Sequence, residues 1–535
     1  MRNLFAIGFV LATAACGSSG SSGNSQPAAE GDSGAQGDST AGDGAGPGSD
    51  GSSGGGGDSG SSGGSGGDGG AGGAEAGGGG DAGGDSGAAT PTAVCGTSML
   101  KGPSTAPAGA VTVSPGASTI QTAIAGHPAG TTYYLTAGTY AVSSSIDPQD
   151  GDTFVGAPGA IIDGSNSQPV AFGLNDHATN VTIKYLTIQH FAGPQNNGIV
   201  NQGQGANWTI EYDTVQNNPD TAGGANGIEI GEGDVVRYNC VSGNAQTGLG
   251  GVDTKNFTVD HNEVTGNGVG YEAKHNCGCS GGMKFFTSTG GTVTNNWIHD
   301  NGSVGLWVDT NNSFYLIDGN VIESSEAEGI MYEISYNAVI RNNVLRANGI
   351  TGNANTADFP EPAIYVSESG GFDAGSAVMM GGVDTNGVLL ITHNTFIDNA
   401  DGVTLYQNAT RCCGSKDGCA SCAGGTSPLY MEIDADGNDR WNTQNVTVSS
   451  NAFTYDASGQ CKADAAKNQY CSVQAMFSTT TAVSQNVAFH QNNVFKDNAY
   501  TGPWQFLAPD QSSALMTSSA WQAAPFNQDT GSTFH

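Results

Sequence analysis

Lys284, Asp309 and Glu333 are the residues on which chemistry is most readily built in this sequence. Each lies in a short run that opens on a small residue and then alternates, GGMKFF, VGLWVD and GIMYEI, so the two acids take one place in consecutive copies of a pattern. If these runs are neighbouring parallel strands, Asp309 and Glu333 point outward from backbones roughly 4.8 Å apart. Like charges directly opposite each other destabilise a sheet. Selection for stability alone avoids such a pair, so its presence points to a shared cation or a shared proton. Aligned on the leading small residue, the outward positions form two columns. One holds Glu229, Gly250, Lys284, Trp307, Met331, Tyr365 and Thr404; the other holds Gly231, Val252, Phe286, Asp309, Glu333, Ser367 and Tyr406. Trp307, Tyr365 and Tyr406 bring amphipathic rings to this face, where they either stack on a ligand or pack under inserted loops.

The element that positions these residues is a repeat. From Gly281 to Asn348 the chain runs three times through a small residue, an alternating run, a polar turn, a second alternating run and Asn-x-aliphatic-x-x-Asn/Ser. The anchors Asn296, Asn320 and Asn343 stand 24 and 23 residues apart, the length of one solenoid coil whose apolar face is buried only by stacking on its neighbours. Period-two alternation within each copy predicts short strands. The anchor extends outward through Asn239 and Asn262, and through Asn394, Asn451 and Asn493, and an Asn repeated at one site can bond to the Asn above and below it. Regularity breaks at excess segments 268–280, 350–361, 370–385 and 408–440, which flank the strand carrying the two columns and are expected to wall one face of it.

With the segments GLWVDTNN, GIMYEISYNAVIRNN and WQAAPFNQDTGS, the chain resembles the secreted right-handed parallel β-helix repeat proteins of the pectate-lyase-like superfamily, in a bacterial lipoprotein form. The resemblance implies an all-β, single-stranded, right-handed parallel β-helix with regular coils over about 111–498. A short helix at Ser118–Ala125 would cap the N-terminal edge, and a non-repeat closing segment carrying Trp504, Phe506, Trp521 and Phe526 would pack on the last coil. It also implies a polysaccharide ligand. In β-helix lyases a cation neutralises a uronate carboxylate and a Lys or Arg removes the acidified proton; here Asp309 and Glu333 would hold Ca²⁺ and Lys284 would be the base, with Trp307, Tyr365 and Tyr406 against the sugar. In β-helix glycoside hydrolases two or three acids act as general acid and base. The expectation is therefore a carbohydrate-active enzyme, first a uronate lyase and alternatively a hydrolase or epimerase. Against it stands a non-catalytic glycan-binding surface protein using the same groove.

The N-terminal region sets location. Residues 1–15 carry one Arg and the apolar run LFAIGFVLATAA before Cys16, the plan of a signal peptide ending at a lipid-modified cysteine, with Thr13 where an aliphatic residue is usual. The expectation is an exported protein, either an outer-membrane or cell-surface lipoprotein anchored through Cys16 or a secreted one. Residues 16–92 are Gly, Ser, Ala and Asp without an apolar pattern, a flexible tether, and 93–535 form the folded domain. Ten acids and no base in the tether leave about −24 of the net charge of −34 on the remainder. Such a domain is a poor partner for nucleic acid or anionic lipid, and a monomer is expected. Of the 11 cysteines, ten remain beside Cys16, an even number suited to disulfides in an oxidising compartment. Cys461 and Cys471 are expected to pair. The cluster Cys412, Cys413, Cys419 and Cys422 reads as disulfides rather than zinc, because its spacing matches no standard zinc site. The partners of Cys95, Cys240, Cys277 and Cys279 stay open.

Overall fold

A computed structural model describes residues 91–535 except 174–176, 204, 276, 351–360, 373, 409–430, 434–438, 457–460, 462–470, 479 and 510–512. The signal segment, Cys16, nearly all of the tether and the cluster Cys412, Cys413, Cys419 and Cys422 lie outside the described residues, as do most of the excess segments 350–361 and 408–440.

The alternating runs form strands, mostly of three to six residues, that stack into three long parallel sheets. The first has 13 strands, from Val111–Val113 to Val494–Lys496; the second has 13, from Gly138–Ala141 to Thr533–Phe534; the third has 10, from Gly198–Val200 to Gln505–Leu507. From Thr182–Lys184 onward each coil contributes one strand to each sheet in turn, the first coils supplying only the first two sheets, and the whole is a right-handed parallel β-helix. Its inward side chains, such as Val293, Ile298, Leu306, Val308, Ile317 and Ile322, are fully buried in one continuous core. A helix at Thr119–Ala125 covers the N-terminal end with Ile120 and Ile124 buried.

The anchor asparagines sit where each coil turns from the first sheet to the second. One residue takes a left-handed conformation, His261 (φ 54°), Asn295 (φ 54°), Gly319 (φ 70°) or Asn342 (φ 53°), and the next is the inward Asn. Along Asn239, Asn262, Asn296, Asn320, Asn343, Asn394, Asn451 and Asn498, each Nδ2 donates to the next Oδ1 at 2.9–3.2 Å. The expected register holds for Asn296, Asn320 and Asn343, and the interval from Asn343 to Asn394 is a single coil, since Val344 pairs with Thr395. The expectation for Asn493 does not hold. A helix at Thr481–Phe489 lengthens that coil, so Asn493 falls before a first-sheet strand, where it donates to Thr443 O at 2.7 Å, and Asn498 takes the ladder position. The second polar residue of the motif builds a parallel ladder, Asn244 to Asn267 (2.9 Å) to Asn301 (3.1 Å). Both ladders satisfy backbone groups at buried corners, which is why the coil can turn so tightly.

Beyond the last coils the aromatics close the end as expected. Trp521 is fully buried, stacks on Phe506 at 5.0 Å and donates Nε1 to Asp529 at 2.8 Å. Thr533–Phe534 then rejoins the second sheet beside Ala499 and Tyr500. Disulfides join Cys95 to Cys240, Cys277 to Cys279 and, as expected, Cys461 to Cys471.

Candidate active site

Lys284, Asp309 and Glu333 lie on adjacent strands of the third sheet, Gly281–Phe286, Val304–Asp309 and Ile330–Glu333. The register places Phe286, Asp309, Glu333, Ser367 and Tyr406 in one file and Gly250, Lys284, Trp307, Met331, Tyr365 and Thr404 in the other. Period two aims Met283, Phe285, Leu306 and Val308 into the core and leaves the site residues on the outer face.

That outer face is not open. Asp309 is 4% and Glu333 3% exposed, and Trp307, Met331, Tyr365 and Tyr406 join Val304, Val473, Ala475, Phe477 and Leu507 in a second buried apolar cluster. Tyr365 and Tyr406 stack on each other at 5.9 Å, so these rings present themselves to one another and not to solvent.

In this dry setting the charges are individually matched. The Lys284 ammonium stands 2.7 Å from Asp309 Oδ2, donates to Gly278 O at 3.0 Å and lies 3.2 Å from the Trp307 ring centroid. Thr310 Oγ1 donates to Asp309 Oδ1 at 2.8 Å. An ion pair of this kind, supplemented by hydrogen bonds, offsets part of the cost of burying both groups. Glu333 has a different neighbourhood: Trp307 Nε1 donates to its Oε2 at 3.2 Å. Nearby, burial first, and then the charge of Glu333, push the Glu328 carboxyl up to about 7. Burial, with the proximity of Glu361, also pushes Asp401 well above the usual carboxylate range. Asp309 is thus held by a lysine, while burial raises the carboxyls of Glu328 and Asp401.

The donor set does not fit calcium, which takes 6–8 oxygen ligands. The place beside Asp309 where a cation would stand is taken by the Lys284 ammonium, and Glu333 accepts from an indole. A group of possible metal ligands among the described residues, Glu272, Cys277 and Cys279, has its two sulfurs joined to each other.

Alignment on the leading small residue overlooked Glu328, Glu361 and Asp401, because they precede it. Their signal was an acid at the strand's first step, in EGI, EPAI and DGV. Glu272, in the excess segment, follows no period at all. A surface cavity of about 290 Å³ lies beside the helix Tyr271–His275, lined by Asn218, Asp220, Asn244, Tyr271 and Lys274. None of the three central residues lines it.

A family model described as "Right handed beta helix region" matches residues 197–374. No curated protein sequence matches the chain. Among solved structures, the chain is similar to the catalytic unit of a thermostable GH87 α-1,3-glucanase from Streptomyces thermodiastaticus, at 15% identity over 80% of this chain and 70% of that one, with a TM-score of 0.48. It is also similar to the A-module of the mannuronan C-5 epimerase AlgE4 from Azotobacter vinelandii, at 15% identity over 64% and 93%, with a TM-score of 0.39. A third is PfbA, a surface adhesin of Streptococcus pneumoniae, at 12% identity over 72% of this chain and 83% of that one, with a TM-score of 0.41. Two of the three are enzymes and one is an adhesin, and at these identities they share only the coiled architecture with this chain.

Proposed function

We propose that this chain is a glycoside hydrolase of the retaining type acting on a neutral glycan, with Asp309 as nucleophile and Glu333 as general acid and base. The observation that carries the reading is the direct register of Asp309 with Glu333 on adjacent strands, with Lys284 on the first and an indole N–H on the second. The backbones of neighbouring strands lie roughly 4.8 Å apart, a spacing compatible with the shorter of the two carboxyl separations that glycosidases use. Retaining enzymes need their two carboxyl groups about 5–5.5 Å apart, whereas inverting ones need about 6.5–9.5 Å to admit a water.

In the first step the protonated Glu333 gives its proton to the glycosidic oxygen while an Asp309 oxygen attacks the anomeric carbon, which breaks the glycosidic bond and forms a glycosyl ester. In the second, Glu333 takes a proton from water, the water oxygen attacks the same carbon, and Asp309 leaves as carboxylate. Lys284 holds the Asp309 carboxylate in place between turnovers. The β-elimination suggested by the resemblance requires a lysine ready to accept a proton, and this ammonium already has three partners. About −24 of the net charge lies outside the tether, which favours an uncharged sugar over a uronate.

The test is a panel of neutral 4-nitrophenyl glycosides assayed with and without chelator. Hydrolysis that survives chelation and is lost in Asp309→Asn supports the reading; a chelator-sensitive rise at 235 nm on a uronate polymer instead restores the lyase. The same proposal places the enzyme at the cell surface on a lipid at Cys16, so that Cys16→Ser releases it.

A further inference from the structure

The excess segment before the Lys284 strand reads Tyr271-Glu272-Ala273-Lys274-His275, then Cys277-Gly278-Cys279-Ser280. A disulfide joins Cys277 to Cys279 across a single residue, and Gly278 between them is left-handed, with φ 56°. A side chain is disfavoured in that conformation, so the glycine is suited to the turn. The Glu272 carboxylate accepts three consecutive backbone N–H groups, from Gly278, Cys279 and Ser280, each at 2.8 Å. Gln246, one coil earlier, donates Nε2 to Cys279 O at 3.1 Å. The amide groups of this loop are thereby turned toward Glu272, and the Gly278 carbonyl is turned toward Lys284, which donates to it at 3.0 Å. Lys284 has four flexible methylenes of its own and could hold many rotamers. Its location between Gly278 O, Asp309 and Trp307 depends on a carbonyl that the strand itself does not supply.

We propose that the Glu272-clamped Cys277–Gly278–Cys279 loop is a positioning device for Lys284, and that the site therefore responds to thiol redox. Its effect on turnover rests on the hydrolase reading above; its effect on the lysine does not. A dithiol reductant delivers two electrons and two protons, opening the Cys277–Cys279 bond to two thiols while its own two thiols close into a disulfide. The freed loop no longer fixes the Gly278 carbonyl, and Lys284 gains freedom to leave Asp309. Glu272 is a positioning residue in this scheme because it touches neither Asp309 nor Glu333 through any bond described above.

The test reads the lysine directly. Reductive methylation of the full chain, followed by peptide mass spectrometry, gives a labelling rate for each lysine. In the oxidised protein, Lys284 is expected to label at least tenfold more slowly than Lys274, whose side chain is 58% exposed against 16% for Lys284. In Glu272→Gln and in Cys277→Ser/Cys279→Ser, the Lys284 rate is expected to rise about tenfold while Lys184, Lys255 and Lys496 keep theirs. Dithiothreitol on the unaltered protein should reproduce the rise, and reoxidation should reverse it, which decides the matter if the variants fold poorly. A Lys284 rate within twofold of the oxidised protein under reduction overturns the proposal. Activity lost in Asp309→Asn but Lys284 protection unmoved by reduction would leave the hydrolase standing and remove this device; the converse result would do the opposite.

Discussion

At the scale of residues, Lys284 and Asp309 depend on each other. Taking the lysine away leaves a carboxylate buried at 4% exposure with Thr310 as its remaining described side-chain partner. Breaking a buried pair in this way costs roughly 3–5 kcal/mol, whereas removing both charges costs much less. Lys284→Met is therefore expected to lower the thermal midpoint and to reduce kcat by two orders of magnitude or more. Lys284→Met/Asp309→Asn should regain most of the lost stability and none of the activity. Thermal unfolding of the two variants beside the unaltered protein checks this; a double variant less stable than the single one contradicts the pairing. The stacked acids were legible in the sequence because they share a register with an obvious small residue. The lysine's three partners were not, since Gly278 lies in an inserted loop whose fold no repeat encodes. Nor was the burial of Tyr365 and Tyr406, because period two tells which face a ring is on and says nothing of what covers that face.

The ladders belong to the scale of elements. Asn320 Oδ1 accepts from both Asn296 N (2.9 Å) and Asn296 Nδ2 (3.0 Å), while its own Nδ2 donates to Asn343 Oδ1 (3.0 Å) and Val293 O (2.9 Å). Asn320→Ala takes the acceptor from the buried Asn296 N–H and one partner each from Asn296 Nδ2, Val293 O and Asn343 Oδ1, the last still accepting from Asn320 N at 2.9 Å, at about 1–3 kcal/mol for an unsatisfied group. A destabilisation of about 2–4 kcal/mol is expected from chemical denaturation. Asn342→Gly, at the exposed left-handed corner next to the ladder, should change stability by less than about 1 kcal/mol, since glycine accepts that conformation freely. Equal effects of the two would mean the ladder contributes little. The strands, the 23- to 24-residue coil and the inward asparagines were all readable from spacing alone. The misplacement of Asn493 shows where that reading stops: spacing assumes a constant coil, and the helix Thr481–Phe489 lengthens one.

Over the whole molecule, the carboxyls fall into two groups with opposite pH consequences. Burial pushes Glu229, against the pull of Asn226, and Asp234, against backbone N–H groups, up to about 7 each. A carboxyl whose folded pKa is raised contributes stability that is complete below its unfolded value and is lost as pH rises through the folded one. Glu263 and Asp260 go the other way. Burial works upward on both, but His299 with the Val94 and Cys95 amides outweighs it at Glu263, and Thr294, Asn295 and His261 outweigh it at Asp260, so both are lowered. Their contribution is present above the unfolded value and is lost in acid. The thermal midpoint should therefore be highest near about pH 4.5, where the lowered carboxyls already contribute and the raised ones have only begun to lose their contribution, and decline from there to about pH 7. Glu229→Gln should flatten part of that decline, worth roughly 3 kcal/mol at one pKa unit per 1.36 kcal/mol. A midpoint that rises steadily to pH 8 contradicts the assignment.

The central claim is that Asp309 and Glu333, one coil apart, act as nucleophile and acid–base. Proton NMR of the sugar released in the first seconds of hydrolysis, before its anomers equilibrate, tests it most directly. The proposal predicts that the product keeps the anomeric configuration of the substrate and that Asp309→Asn yields none. A product of inverted configuration, or one carrying the 4,5-double bond of an elimination, contradicts it.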